Sequence, residues 1–333
     1  MLANETETAA TGVKEEDMAI TAAQVKELRE ISGAGMMECK KALEETGGNM
    51  DEAMEYLRKN GQAKAEKKAS RIAAEGLTGV CVLDDHTAAV VEVNSETDFV
   101  AKNEKFQAFV DAVAHQAVNS SAADLDGFLA EKWEADNAKT VKDALVEITA
   151  VISEKIDIRR FQKVSVSDGV VVPYVHGGGR ISVLVDAETS VVNDDIKEAV
   201  KNIAMQVAAM HARYVNLTDV PEDFKEHEKE ILLAQAMKEN EEAPEGKRKP
   251  QEIIEKMLIG RLNKELKEMC LNEQVYVKAE DGKQTVSQYL AQVGKANNTE
   301  LKIRSFVRFE TGEGIEKKEE NFAEEVAKQA GLK

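Results

Sequence analysis

Apolar residues recur at helical spacing in some blocks of this chain and alternate with polar ones in others, and the change of period marks its elements. From 19 to 61 the punctuation is helical. Thr21-x-x-Gln24 is a capping box opening a first helix, with Val25 and Leu28 on one side, until Gly33 and Gly35 stop it. A second helix spans about 36–47. Asn49-x-x-Glu52 caps a third, with Ala53, Tyr56 and Leu57 at apolar spacing, ended by Gly61. A charged helix over 62–75 follows. Gly76 then opens a stretch of strand character, with Val80, Val82, Val90, Val91 and Val93 around a polar Asp84-Asp85-His86 turn. The next helix sets Phe106, Phe109, Val110, Val113 and Ala117 at offsets 0, 3, 4, 7 and 11.

That plan returns farther on. Val170, Val171 and Val172, a His176-Gly177-Gly178-Gly179 turn, and Ile181, Val183 and Val185 predict a hairpin. The helix after it carries Ile196, Ala199, Val200, Ile203 and Val207 at the same offsets, which implies two related hairpin-plus-helix subdomains. Between them, Thr140 starts a helix with Val141, Leu145, Ile148 and Ile152 on one face, leading into a strand-like segment over 156–166 that closes the first subdomain. Two polar helices follow the second unit, from Pro221 to about 242 and over about 251–269. Phe224, Ile231 and Ala234 are expected to face one way on the first, and Ile254, Leu258, Leu262 and Leu266 on the second, as in a projecting antiparallel hairpin. Leu301, Ile303, Val307 and Phe309 alternate as a strand. A last helix is expected from about 316 to 330, with Phe322, Val326 and Ala330 to bury. The three short N-terminal helices predict a small bundle of the ubiquitin-associated type, a docking module by habit. The fold class expected is α+β and multidomain.

Composition narrows the function. The chain has 333 residues, enough for several cores, and a formal net charge of -18. That field repels phosphate backbones and anionic lipid, and the basic run Lys64–Arg71 is too short to reverse it. No direct nucleic-acid or membrane role is therefore expected. Cys39, Cys81 and Cys270 lie far apart with no C-x-x-C pair, read as buried small hydrophobes in a reducing cytoplasm. No run approaches the ~18 apolar residues that a membrane span needs. Residues 1–17 are acidic, lack an apolar core, and read as a disordered tail, with Met18 as an alternative start.

Enzymatic signatures are missing. Asp281-Gly282-Lys283-Gln284 lacks the upstream glycine and the hydroxyl of a phosphate loop, and reads instead as a hairpin turn between 275–277 and Val286. His227-Glu228 has Ile231 where the second histidine of a zinc-protease motif belongs. No G-x-S-x-G elbow is present. No metal, cofactor or direct GTP or GDP site is expected, and an interaction protein is the default class. Two segments then stand out. Ser95-Glu96-Thr97-Asp98-Phe99-Val100-Ala101 sets a bulky aromatic among acidic and polar neighbours just after a strand, where Phe99 either plugs the chain's own core or is offered to a partner. Met36 and Met37 follow a Gly-Ala-Gly break at a helix start, and either pack within the bundle or mould to a partner's surface. His176 beside three glycines reads either as part of an anion loop or as an exposed residue of a glycine-rich hairpin turn.

These segments, with Leu28-Arg29-Glu30, Gly33 through Leu43, Glu92 through Ala101, His176-Gly177 with Arg180-Ile181, and Arg308-Phe309-Glu310 with Gly312 through Glu316, resemble the bacterial elongation factor Ts family, guanine-nucleotide exchange factors of elongation factor Tu. The resemblance runs in order from about residue 19 to the C-terminus. It implies exchange without covalent chemistry, by a factor that binds elongation factor Tu and displaces GDP. The partner-binding residues it implies are Thr97, Asp98, Phe99 and Val100 against the GTPase domain near its magnesium site, Arg29, Met36, Met37 and Lys40 against a helix of that domain, and His176 against another domain. Behind the tail read over 1–17, the layout expected is a docking bundle over 18–61, a linker helix and first core subdomain over 62–166, a second over 167–214 and 272–314, a helical hairpin over 215–271, and a C-terminal helical module over 315–333. The complex is expected as one to one or two to two. The hairpin tip over 239–249 and the acidic tail depart from the pattern. The residues alone also leave open an adaptor or chaperone-like protein that binds polypeptide through the bundle, and an enzyme that uses the core cleft.

Overall fold

Among the described residues the first helix begins just after Thr21. Its hydroxyl accepts the Gln24 N–H while the Gln24 side chain accepts the Thr21 N–H, closing the capping box of α1 (Ala22–Ser32). Gly33 ends the helix at φ +67°, a left-handed conformation that glycine enters without steric cost, and donates to the Arg29 carbonyl. α2 (Met36–Glu45) follows, then α3 (Met50–Lys68), capped by Asn49 Oδ1 on the amides of Asp51 and Glu52. Val25, Leu28, Cys39, Ala42, Leu43 and Ala53 form their small core, with Tyr56 and Leu57 packed against it.

The structure, a computed structural model, describes residues 20–316. The expected tail over 1–17 and nearly all of the expected closing helix lie outside them. The chain divides into two units, one of residues up to Ser70 with Val146–Glu154, the other of Arg71–Leu145 with Lys155 onward. In the first, Gly61 does not end a helix. α3 runs through it to Lys68, so there is no break at 61 and no separate helix over 62–75: residues 62–68 continue α3, 69–74 are not helical, and Glu75 opens a strand. A mid-helix glycine costs about 1 kcal/mol relative to alanine. Here it admits a close approach, since a Cβ at 61 would sit 3.5 Å from the Ala150 Cβ and 3.9 Å from Val146.

The second unit opens with β1 (Glu75–Asp84) and β2 (Thr87–Ser95), antiparallel about a turn where Asp84 accepts the His86 N–H. α4 (Glu104–Asn119) packs on both strands and buries Phe106, Phe109, Val110, Val113 and Ala117, as its offsets predict. A short α5 (Leu125–Ala130) and a small hairpin, β3 (Lys132–Trp133) with β4 (Asp136–Thr140), come next and were not expected. α6 (Val141–Ile152), whose last residues belong to the first unit, leads to β5 (Ile156–Ser165), which pairs with β2 and completes a sheet of order β1-β2-β5.

The second sheet repeats the plan. β6 (Val170–His176) and β7 (Ile181–Glu188) form a hairpin, and α7 (Asp194–Met210) packs on it with Ile196, Ala199, Val200, Ile203 and Val207 buried. α8 (Glu222–Glu242) and α9 (Gln251–Met269) form the helical hairpin. α9 buries Ile254, Leu258 and Leu266 as expected. On α8, however, Leu232 is the buried residue, Phe224 is half-buried, and Ile231 and Ala234 are exposed. The polar face of α8 is broad enough that its inward stripe, 228-232-236, lies one position off the expected one.

Asp281 does shape a turn, its Oδ1 accepting the amides of Lys283 and Gln284, and these hold its carboxyl below the ordinary range. The turn is joined by a single bridge, Val275 to Thr285, and Val286 opens α10 (Val286–Ala296) instead of a strand. β8 (Lys302–Glu310) then pairs with β7, giving β6-β7-β8. Ala88 and Val90 of β2 meet Val171, Leu184, Val307 and Phe309 of the second sheet in a shared apolar layer. The fold is α+β with antiparallel sheets.

Candidate functional site

β2 is buried along its whole length, so its end is a fixed platform for the loop that leaves it. Ser95 Oγ donates to the Thr97 carbonyl at 2.9 Å and tightens the exit. Val100 then turns inward, 6% exposed, at the start of a single 3-10 turn, Val100–Lys102, and Asn103 caps α4 by accepting the amides of Lys105 and Phe106. Between the two anchors Thr97, Asp98 and Phe99 arch outward. Phe99 is 77% exposed, more than any other exposed large apolar side chain described, so it does not plug the chain's own core. Asp98 is exposed and makes no side-chain hydrogen bond among the described residues. Val100, expected to face a partner, is instead the residue that seats the arch.

In the first unit, Gly35 starts α2 so that Cys39, Ala42 and Leu43 turn inward and Met36, Met37 and Lys40 outward. Met36 is 54% and Met37 75% exposed, so neither is bundle packing. Arg29 is exposed at the end of α1. Lys40 reaches Glu44 at 3.6 Å, an exposed helical pair that leaves the ammonium accessible. Ile31, 62% exposed between Arg29 and Met36, belongs to the same run and was not singled out from sequence, because its spacing alone does not tell an outward position from an inward one.

His176 sits exposed at the end of β6, its Nδ1 3.1 Å from the Tyr174 hydroxyl. The turn after it needs glycine at three successive positions, with φ +60°, +64° and +98° at Gly177, Gly178 and Gly179. It is stapled to the first sheet. The Gly179 carbonyl accepts the Thr78 N–H at 2.7 Å and the Thr78 hydroxyl at 2.8 Å.

A further cluster escaped the sequence reading. Glu92, fully buried in β2, accepts Arg159 at 3.0 Å, Arg160, Asn94 Nδ2 at 3.1 Å and the Gly312 N–H at 2.8 Å. Arg160 also lies over the Phe309 ring and pairs with Glu313. The signal was present: a glutamate inside Ala-Ala-Val-Val-Glu-Val can be buried only if paired. The network joins the strand that carries the Phe99 arch to the segment after β8. Among the described residues no cluster of three or more His, Cys, Asp or Glu could hold a metal, and no helix is long and apolar enough to cross a membrane.

Phe99, Met36 and Met37 thus present large apolar side chains to solvent, the kind of anchor that protein-binding surfaces use. A family model described as Elongation factor TS matches residues 96–313. The elongation factor Ts of Clostridioides difficile strain 630 is 51% identical over 311 residues, 93% of this chain and 98% of that protein. That of Clostridium botulinum strain Eklund 17B is 47% identical, covering 94% of this chain and 99% of its own length, and that of Clostridium tetani 47%, covering 93% and 99%. The chain belongs to the elongation factor Ts family.

Proposed function

We propose that the chain binds elongation factor Tu and promotes release of its GDP, and that the partner-facing residues are Thr97, Asp98 and Phe99 on the arch, Arg29, Met36, Met37 and Lys40 on the bundle, and His176 on the glycine turn, with Val100 seating the arch. The observation that carries this is Phe99, 77% exposed between two fixed anchors in a chain of this family. Phe99 enters near the magnesium and phosphate site of the GTPase domain. GDP there is held by Mg²⁺ and backbone amides that neutralise its charge, so displacing those ligands raises the free energy of the nucleotide-bound state. No bond is made or broken on this chain, so it acts as an exchange factor and not as an enzyme. Linkage requires the converse: bound GDP weakens this chain's grip by the same factor.

The division of labour follows the sequence layout. Residues 18–61 dock, 62–166 carry the arch, and 167–214 with 272–314 carry His176. The adaptor reading lacks support, since the relatives above, matched over 93–94% of the chain, are elongation factors Ts. A titration tests the proposal: the chain should form a stable complex with nucleotide-free elongation factor Tu, which added GDP dissociates while no phosphate appears. Binding indifferent to GDP would overturn it.

A further inference from the structure

One acidic side chain beside the arch has a role that the partner-facing set does not include. Glu96 immediately precedes Thr97-Asp98-Phe99, and its carboxylate is turned back into the protein. Its Oε1 accepts the Lys155 backbone N–H at 2.6 Å, and both of its oxygens lie within reach of Arg71 Nη1, at 3.2 and 3.3 Å. The Lys155 ammonium in turn donates to the Arg71 carbonyl at 2.9 Å, closing a three-residue ring. Arg71 and Lys155 are the first residues of the larger unit after each return of the chain from the smaller one. The entry to the arch is therefore tied not only to its own strand, through Ser95, but also to two points distant in sequence, the Lys155 amide and the Arg71 guanidinium, while Val100 ties the exit into the core.

We propose that Glu96 is a positioning residue for nucleotide exchange: its carboxylate, held by Lys155 N–H and Arg71, fixes the entry of the Phe99 arch so that the exposed ring stays rigid enough to displace a partner's groups. The proposal rests on the exchange function above. An aromatic on a slack loop would yield when pressed against a packed surface and would lose its contact energy to the cost of ordering the loop. A backbone amide and a guanidinium converging on one carboxylate give charge-assisted hydrogen bonds, stronger than neutral ones. Glu96 itself need not touch the partner, because its oxygens point at the chain's own residues.

The test uses the full chain and three variants, Glu96→Ala, Glu96→Gln and Arg71→Ala, read in two ways. Amide hydrogen exchange of the free chain should quicken over 97–102 by roughly tenfold in Glu96→Ala, the factor expected from losing one charge-assisted hydrogen bond, with the amides of β1, β2 and α4 unchanged. The maximal rate of GDP release from elongation factor Tu at saturating factor should fall by about the same factor, while the concentration giving half-maximal effect moves little. Glu96→Gln keeps an acceptor for the Lys155 N–H and should recover part of both losses. Arg71→Ala, an exposed change that leaves the strands intact, should reproduce a smaller share. Quickened exchange spread through the sheet would mean general destabilisation and would overturn the proposal. So would a loosened arch with an unaltered maximal rate, or an arch that does not loosen. Failure of the wild-type chain to accelerate GDP release would instead overturn the exchange function on which the proposal rests.

Discussion

Phe99 and Val100 are neighbours with opposite burial, 77% and 6% exposed, and replacing each by alanine separates partner contact from folding. Phe99→Ala removes little that is packed in the free chain, so its stability should stay within about 0.5 kcal/mol of wild type. Against a partner the same ring has a full side chain to bury. That is about 1.5–3 kcal/mol, and at 1.4 kcal/mol per factor of ten it becomes a loss of roughly 10- to 150-fold in the acceleration of GDP release. Val100→Ala deletes two buried methyl groups at about 0.8 kcal/mol each and leaves a small cavity, about 2 kcal/mol in all. Its exchange defect should follow from lost folding and a loosened arch. The assay is a urea midpoint for each variant beside its GDP-release rate at matched concentration. A Phe99→Ala chain as destabilised as Val100→Ala would refute the assignment of the ring to the surface. One that kept full acceleration would refute its role as the wedge.

Other consequences rest on the buried groups. Glu92→Ala would strand two arginines and the Gly312 N–H and should cost about 3–5 kcal/mol by urea unfolding; a loss under about 1 kcal/mol would mean that the network is not a structural tie. Burial pushes the Cys270 thiol up to about 11, with Glu273 and Asp219 adding to it, so an alkylating reagent at pH 8 should label Cys270 only after unfolding; rapid labelling of the native chain would contradict this. Burial also raises the Asp186 carboxyl above its ordinary value, against the opposing pull of Arg304. The folded chain then keeps that proton to higher pH than the unfolded chain, so this group's contribution to stability falls as pH rises from about 3.9 through the folded value. The stability of Asp186→Asn minus that of wild type should therefore grow with pH across that window, and a flat difference would count against it.

Much of the fold was legible wherever one local rule decided the outcome. The Thr21 capping box, the Gly33 stop, and the shared offsets of α4 and α7 all stand as expected. α10 carries another capping box, Thr285 with Gln288, which went unread because the Asp-Gly turn just before it suggested a returning strand. Gly61 misled because a glycine that ends a helix and one that admits a neighbouring chain look alike until Ala150 is in place. The β3–β4 hairpin is too short and too polar to show alternation. Within the site, the residues alone left open whether Phe99, Met36 and Met37 face inward or outward, and the resemblance singled them out. The partners of Glu92 and Glu96 were not, since Arg159, Arg160 and Lys155 reach them only after β5 has paired with β2.

The central claim is tested most directly by the rate at which a fluorescent GDP analogue leaves elongation factor Tu, measured alone, with this chain, and with Phe99→Ala. Strong acceleration by the chain that the variant largely loses is the predicted result. A rate unchanged by the chain at saturating concentration would contradict it.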